Sequence, residues 1–63
     1  MDSRTIIKLL QAAGWEAKSQ VGSHLHLQRD RKGPKVTVPH PRKDVKLGTV
    51  KSIERQSGVS LRG

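Results

Sequence analysis

Residues 24–28 read His-Leu-His-Leu-Gln, directly after Gly22-Ser23. Strand side chains alternate between the two faces of a sheet. As a strand, Leu25 and Leu27 share one face and His24, His26 and Gln28 share the other. The leucine face requires a core, so the imidazoles are left on the open side. Two further runs alternate in the same way. Trp15 and Ala17 oppose Glu16, Lys18 and Gln20, and Val36 and Val38 oppose Lys35 and Thr37. Val21-Gly22-Ser23 reads as the first turn, with Gly22 supplying a left-handed or strained conformation. Asp30-Arg31-Lys32-Gly33-Pro34 reads as the second. Pro39-His40-Pro41 ends the third strand, because proline has no N–H to give to a ladder.

A helical stripe precedes the strands: Ile6, Ile7, Leu9, Leu10 and Ala13 recur at helical spacing. Asp2 or Ser3 can cap its start, and Gly14 can end it. A second helix is expected from about Thr49, as N-cap, to Ser57, with Gly58 as its C-cap. Val50, Ile53 and Leu47 give that helix an apolar side. The predicted order is α-β-β-β-α, an α+β sandwich with a three-stranded antiparallel meander packed on two helices. Its expected core is Trp15, Ala17, Leu25, Leu27, Val36 and Val38 against Ile6, Leu10, Ala13, Val50 and Ile53. The last five residues have little besides Val59 and Leu61 to anchor them.

Sixty-three residues make one domain, spanning 1–63. A chain this short buries only about 60% of its unfolded surface, which leaves room for a stabilising protein partner. The absence of Cys excludes disulfides and thiolate zinc ligation. No apolar run approaches the roughly 20 residues of a membrane span, and no signal peptide is visible. A soluble cytoplasmic protein is expected. Thirteen Lys and Arg against five Asp and Glu give a net charge of +8. That excess fits a nucleic acid or another polyanion better than it fits a merely solvated surface.

His24 is the sharpest catalytic candidate, since imidazole titrates near neutrality. Gly22 and Ser23 beside it permit close backbone approach and offer donors. Lys18 and Lys35, from the flanking strands, could stabilise charge at a reacting phosphate. His26 could be a second acid–base group, but a phosphate or base contact is the simpler role. Lys43, Lys46 and Lys51 flank the start of the second helix, whose free amides and dipole attract phosphate. Arg29, with Arg31 and Lys32, forms another basic cluster. These lysines and Arg29 are expected to position RNA through its backbone. His24 and His26, two residues apart without carboxylates or cysteines nearby, are a poor ligand set, so no metal site is expected.

Several of these pieces together resemble the HicA-type toxins of bacterial toxin–antitoxin pairs. They are Leu10 with Ala13-Gly14-Trp15, Gly22-Ser23-His24, the run Val36 to Pro41, Gly48-Thr49-Val50 with Ser52-Ile53, and Gly58-Val59. The resemblance runs from about Ser3 to Val59. It implies a fold similar to the double-stranded-RNA-binding domain. It also implies a metal-independent, cofactor-free endoribonuclease that cleaves mRNA and so blocks translation, with His24 as the catalytic histidine. The implied partner is a HicB-type antitoxin that covers the active site and contacts operator DNA on the toxin's behalf. Many relatives carry a second histidine directly after the first; here Leu25 stands there and the next imidazole is His26. The rival readings are a non-catalytic RNA-binding module of the same fold and a basic protein whose only partner is an acidic protein.

Overall fold

The computed structural model describes residues 1–61. Its elements are α1 (Ser3–Ala12), β1 (Glu16–Val21), β2 (His24–Gln28), β3 (Lys35–Pro39) and α2 (Leu47–Ser57). The strands form one antiparallel sheet in the order β1-β2-β3, as the two hairpin turns require.

Asp2 caps α1, and its carboxylate accepts the Thr5 N–H at 3.2 Å. Hydrogen bonding from Thr5 holds the Asp2 carboxyl below its ordinary pKa. Ser3, Ile6 and Leu10 are the buried residues of α1. Gly14 follows the helix with φ +95°, so the chain turns sharply and drives Trp15 into the core. At the first hairpin Gly22 has φ +58°, the positive angle that glycine adopts without steric cost. The second loop closes through a Gly33 N–H to Asp30 carbonyl bond of 3.0 Å. The Gln28 side chain braces that loop by donating to the carbonyls of Gly33 and Arg31.

Both helices cover one face of the sheet. Ile6 and Leu10 from α1 and Val50 and Ile53 from α2 meet Leu27, Val36 and Val38 in one cluster, with Trp15, Val45 and Leu61 completing it. Leu25 is half-buried at its edge. Ala13 and Ala17, both expected in the core, are exposed. Ala13 is the C-cap of α1, and every residue of the edge strand β1 is exposed. Leu47 is also largely exposed, at 56%.

Two apolar anchors come from segments without periodicity. Val45 lies in the connector between β3 and α2, and its N–H donates to the Met1 carbonyl at 2.8 Å. The Leu61 N–H donates to the Glu54 carboxylate at 2.8 Å, so the tail is tied to α2 as far as residue 61. The remainder of the tail, 62–63, lies outside the described residues. The second helix starts earlier than expected. Its N-cap is Lys46, without a side-chain capping bond, so Thr49 sits within the first turn instead of capping it. Gly58 ends α2 as expected, with φ +74° and its N–H donated to the Glu54 carbonyl. No described helix is long and apolar enough to cross a membrane.

Candidate functional site

The register of β2 against β3 pairs His24 with Pro39, His26 with Thr37 and Gln28 with Lys35. These six residues share the face that the helices leave uncovered, as the alternation in β2 predicts. His24 is exposed at the first position of β2, immediately after the Gly22-Ser23 turn. Ser23 itself is exposed, and its carbonyl accepts the His40 N–H at 2.8 Å. That bond extends the pairing of the two strands beyond His24 and fixes the place where β3 leaves the sheet.

A groove of about 350 Å³ opens beside His24. Its other walls are Pro39, Arg42, Val45, Lys46 and Thr49. An imidazole, a guanidinium and an ammonium therefore converge at the amino end of α2. The first-turn amides of that helix lack intrahelical partners, and its dipole adds positive potential there. No carboxylate lines this groove among the described residues, and neither Arg42 nor Lys46 is in an ion pair there. The arrangement suits an anion placed against a proton-transfer group.

Arg42, in the connector between β3 and α2, is tied by its backbone to the start of α1. Its N–H donates to Ser3 Oγ at 2.9 Å, and its carbonyl accepts the Ser3 N–H at 2.9 Å. Ser3 is 1% exposed, so this double link is anchored in the protein interior. No local pattern marks Arg42, because the bonds that hold it span 39 residues.

The two lysines expected beside His24 are elsewhere. Lys35 pairs with Gln28, four residues along the strand, which is about 13 Å at strand rise. Lys18 falls where the β1–β2 register shifts between Ala17 and Ser19. This irregularity places Ser19 opposite His26 and Gln20 opposite Leu25, so simple alternation fails in β1. The Lys18 ammonium is bound to Glu16 at 3.0 Å. The residue opposite His24 in β1 is Val21.

Other expected contacts divide between the two ends of the molecule. His26 is half-buried, with Nδ1 2.9 Å from Thr37 Oγ1. Lys46 lines the His24 groove, while Lys43 lines a neighbouring one. Lys51 is exposed on α2. Arg29 lies by the second hairpin, its guanidinium 5.4 Å from the centre of the Trp15 ring and close to Asp30. That position makes Arg29 a lid on the core, remote from His24. Among the described residues no group of three His, Cys, Asp or Glu could hold a metal ion.

Comparison with known proteins bears on this geometry. A chain of the solved HicA3 and HicB3 toxin–antitoxin complex is similar at 34% identity and a TM-score of 0.78, covering 97% of this chain and 98% of that one. Comparison with the curated proteins finds no match. The family model for the HicA toxin of bacterial toxin–antitoxin systems matches residues 3–59, from the first turn of α1 to just beyond Gly58. With that match over nearly its whole length, and with the fold and strand order described above, the chain belongs to the HicA toxin family.

Proposed function

We propose that this chain is a toxin that cleaves mRNA endonucleolytically, with His24 as general acid or base at the scissile phosphate. The observation that carries the reading is the groove that joins exposed His24 to Arg42, Lys46 and the amino end of α2. The 2′-OH of the RNA attacks the adjacent phosphorus and the 5′ oxygen leaves. One proton is removed from the 2′-OH and one is delivered to the leaving oxygen. His24 performs one of these transfers. Charge growing on the phosphate oxygens is met by Arg42, Lys46 and the first-turn amides of α2. RNA supplies its own nucleophile, so the step assigns no task to a metal ion. Elsewhere the net charge of +8 holds the strand electrostatically.

A non-catalytic RNA-binding module would use the same charge. The two differ in one experiment: incubation of the purified protein with RNA in EDTA, followed by denaturing electrophoresis. Cleavage supports the enzyme; a mobility shift with intact RNA supports the binding module.

The regulator implied by the similar HicA3 and HicB3 complex is a HicB-type antitoxin. It is proposed to cover the His24 groove, and to be the component that reaches operator DNA. An acidic surface would compete with RNA for the same positive field and speed encounter. Antitoxin is expected to protect His24 from diethylpyrocarbonate, read by mass spectrometry, while cleavage stops. Equal modification with and without antitoxin, at full inhibition, would exclude occlusion. Acting on mRNA, such a pair is proposed to work in the cytoplasm.

A further inference from the structure

A second groove, of about 600 Å³, lies on the other side of Arg42. Arg4 from the first turn of α1 lines it, together with His40, Arg42 and Lys43. Arg42 thus belongs to both grooves. The sheet joins them as well, since the His40 N–H is bonded to the carbonyl of Ser23, the residue before His24.

The imidazole of His40 is held by an interior group. Ser3 Oγ lies 2.8 Å from His40 Nδ1 and accepts the Arg42 N–H at 2.9 Å. With one lone pair of the hydroxyl taken by Arg42, its remaining lone pair and its proton are both available to Nδ1, so the contact fixes the ring in either tautomer. One carboxylate also lines the groove, that of Asp2, but it is engaged in capping α1 through Thr5. The groove therefore collects two guanidinium groups, an ammonium and an imidazole, and it shares Arg42 with the His24 groove. Guanidinium groups match the oxygen geometry of phosphate in a way that a diffuse field of lysines does not.

We propose that this second groove is a phosphodiester subsite, which holds the RNA phosphate next to the one at His24, with Arg42 lying between the two. The proposal rests on the reading of the His24 groove as an RNA site. It makes Arg4 and His40 substrate-positioning residues and gives the RNA strand a direction across the molecule, from the start of β2 towards the first turn of α1.

The test uses 2′-O-methyl oligonucleotides, which bind but cannot be cleaved through the 2′ oxygen. A dinucleotide with one phosphodiester and a trinucleotide with two are titrated into the isotope-labelled protein and followed by NMR. The trinucleotide is expected to bind about 10-fold more tightly, as one added charge-assisted contact warrants. It should also shift the His40 ring resonances, which the dinucleotide leaves in place. Arg4 is exposed on the first helical turn, where a carboxylate is favourable to the helix. Arg4→Gln and Arg4→Glu should therefore fold. Both should bind the dinucleotide as the wild type does and lose most of the 10-fold gain, Arg4→Glu the more completely. The salt dependence of trinucleotide binding should fall by about 0.7 in log–log slope.

An undiminished gain in both variants overturns the proposal. So does a perturbation of His40 by poly-glutamate but by neither oligonucleotide, which would make the groove a protein-docking site. Because neither ligand is cleaved, a wild type that shows the gain yet fails to cut RNA overturns the catalytic reading of His24 and leaves the subsite standing.

Discussion

Replacing His24 by alanine is expected to leave the fold intact and to lower RNA cleavage by about 10²–10⁴-fold, the usual loss for a general acid or base. His24 is exposed and no side-chain hydrogen bond holds it among the described residues, so truncation opens no cavity and strands no polar partner. Its backbone pairing with Pro39 is independent of the ring. His26 provides the internal contrast. Its Nδ1 is shared with Thr37, and it is half-buried. His26→Ala should cost about 1 kcal/mol of stability for the lost hydrogen bond and affect the rate far less. Denaturant titration and single-turnover cleavage of the two variants separate these effects. A folded His24→Ala protein that cleaves at the wild-type rate would remove His24 from the mechanism.

Neutralising Arg42 and Lys46 together is expected to lower kcat/KM by about 10²–10³-fold, the scale on which a preorganised donor to a developing oxyanion acts. Both line the His24 groove and no carboxylate opposes them there. The bonds that tie residue 42 to Ser3 use its backbone, so Arg42→Gln retains them. Lys18→Gln with Lys35→Gln should stay within a few-fold of wild type, the range of screened surface charges. Lys18 is committed to Glu16, and Lys35 lies at the far end of the strand. Steady-state cleavage of a short RNA at fixed ionic strength checks both pairs. Equal losses in the two would mean that total charge, not its placement at His24, governs the reaction.

These two substitutions mark where sequence patterns reach and where they stop. The alternation of Leu25 and Leu27 with His24 and His26 specifies a face, because period two is a property of the strand itself. It does not specify position along the strand. Lys35 shares the open face with His24 and is still four residues away, since the second hairpin pairs it with Gln28. The register shift in β1 breaks the same inference for Lys18 and Gln20, and a bulge leaves no mark in a polar run such as Glu16 to Gln20.

In the connector, Pro41, Arg42, Lys43 and Asp44 have no period at all. Arg42 gains its place from Ser3, and Val45, bonded through its N–H to Met1, is buried in the core cluster. Such long-range contacts are invisible to local spacing. Gly22 and Gly58, by contrast, each announce a positive φ that the fold requires, and both occur where the sequence suggests them. The Gly-Ser-His run and Lys46 were legible as candidate site residues; the place of Arg42 beside them was not.

The most direct test is the chemistry of the RNA ends. Purified protein is incubated in EDTA with an RNA and with the same RNA carrying a single 2′-deoxy substitution at the cleaved linkage. Fragments are sized and their termini determined by mass spectrometry. Attack by the 2′-OH with His24 as proton carrier predicts fragments ending in 2′,3′-cyclic phosphate and beginning with 5′-OH. It also predicts that cutting disappears at the deoxy position alone. Fragments with 5′-phosphate and 3′-OH ends, or cutting that persists at the 2′-deoxy linkage, would contradict it.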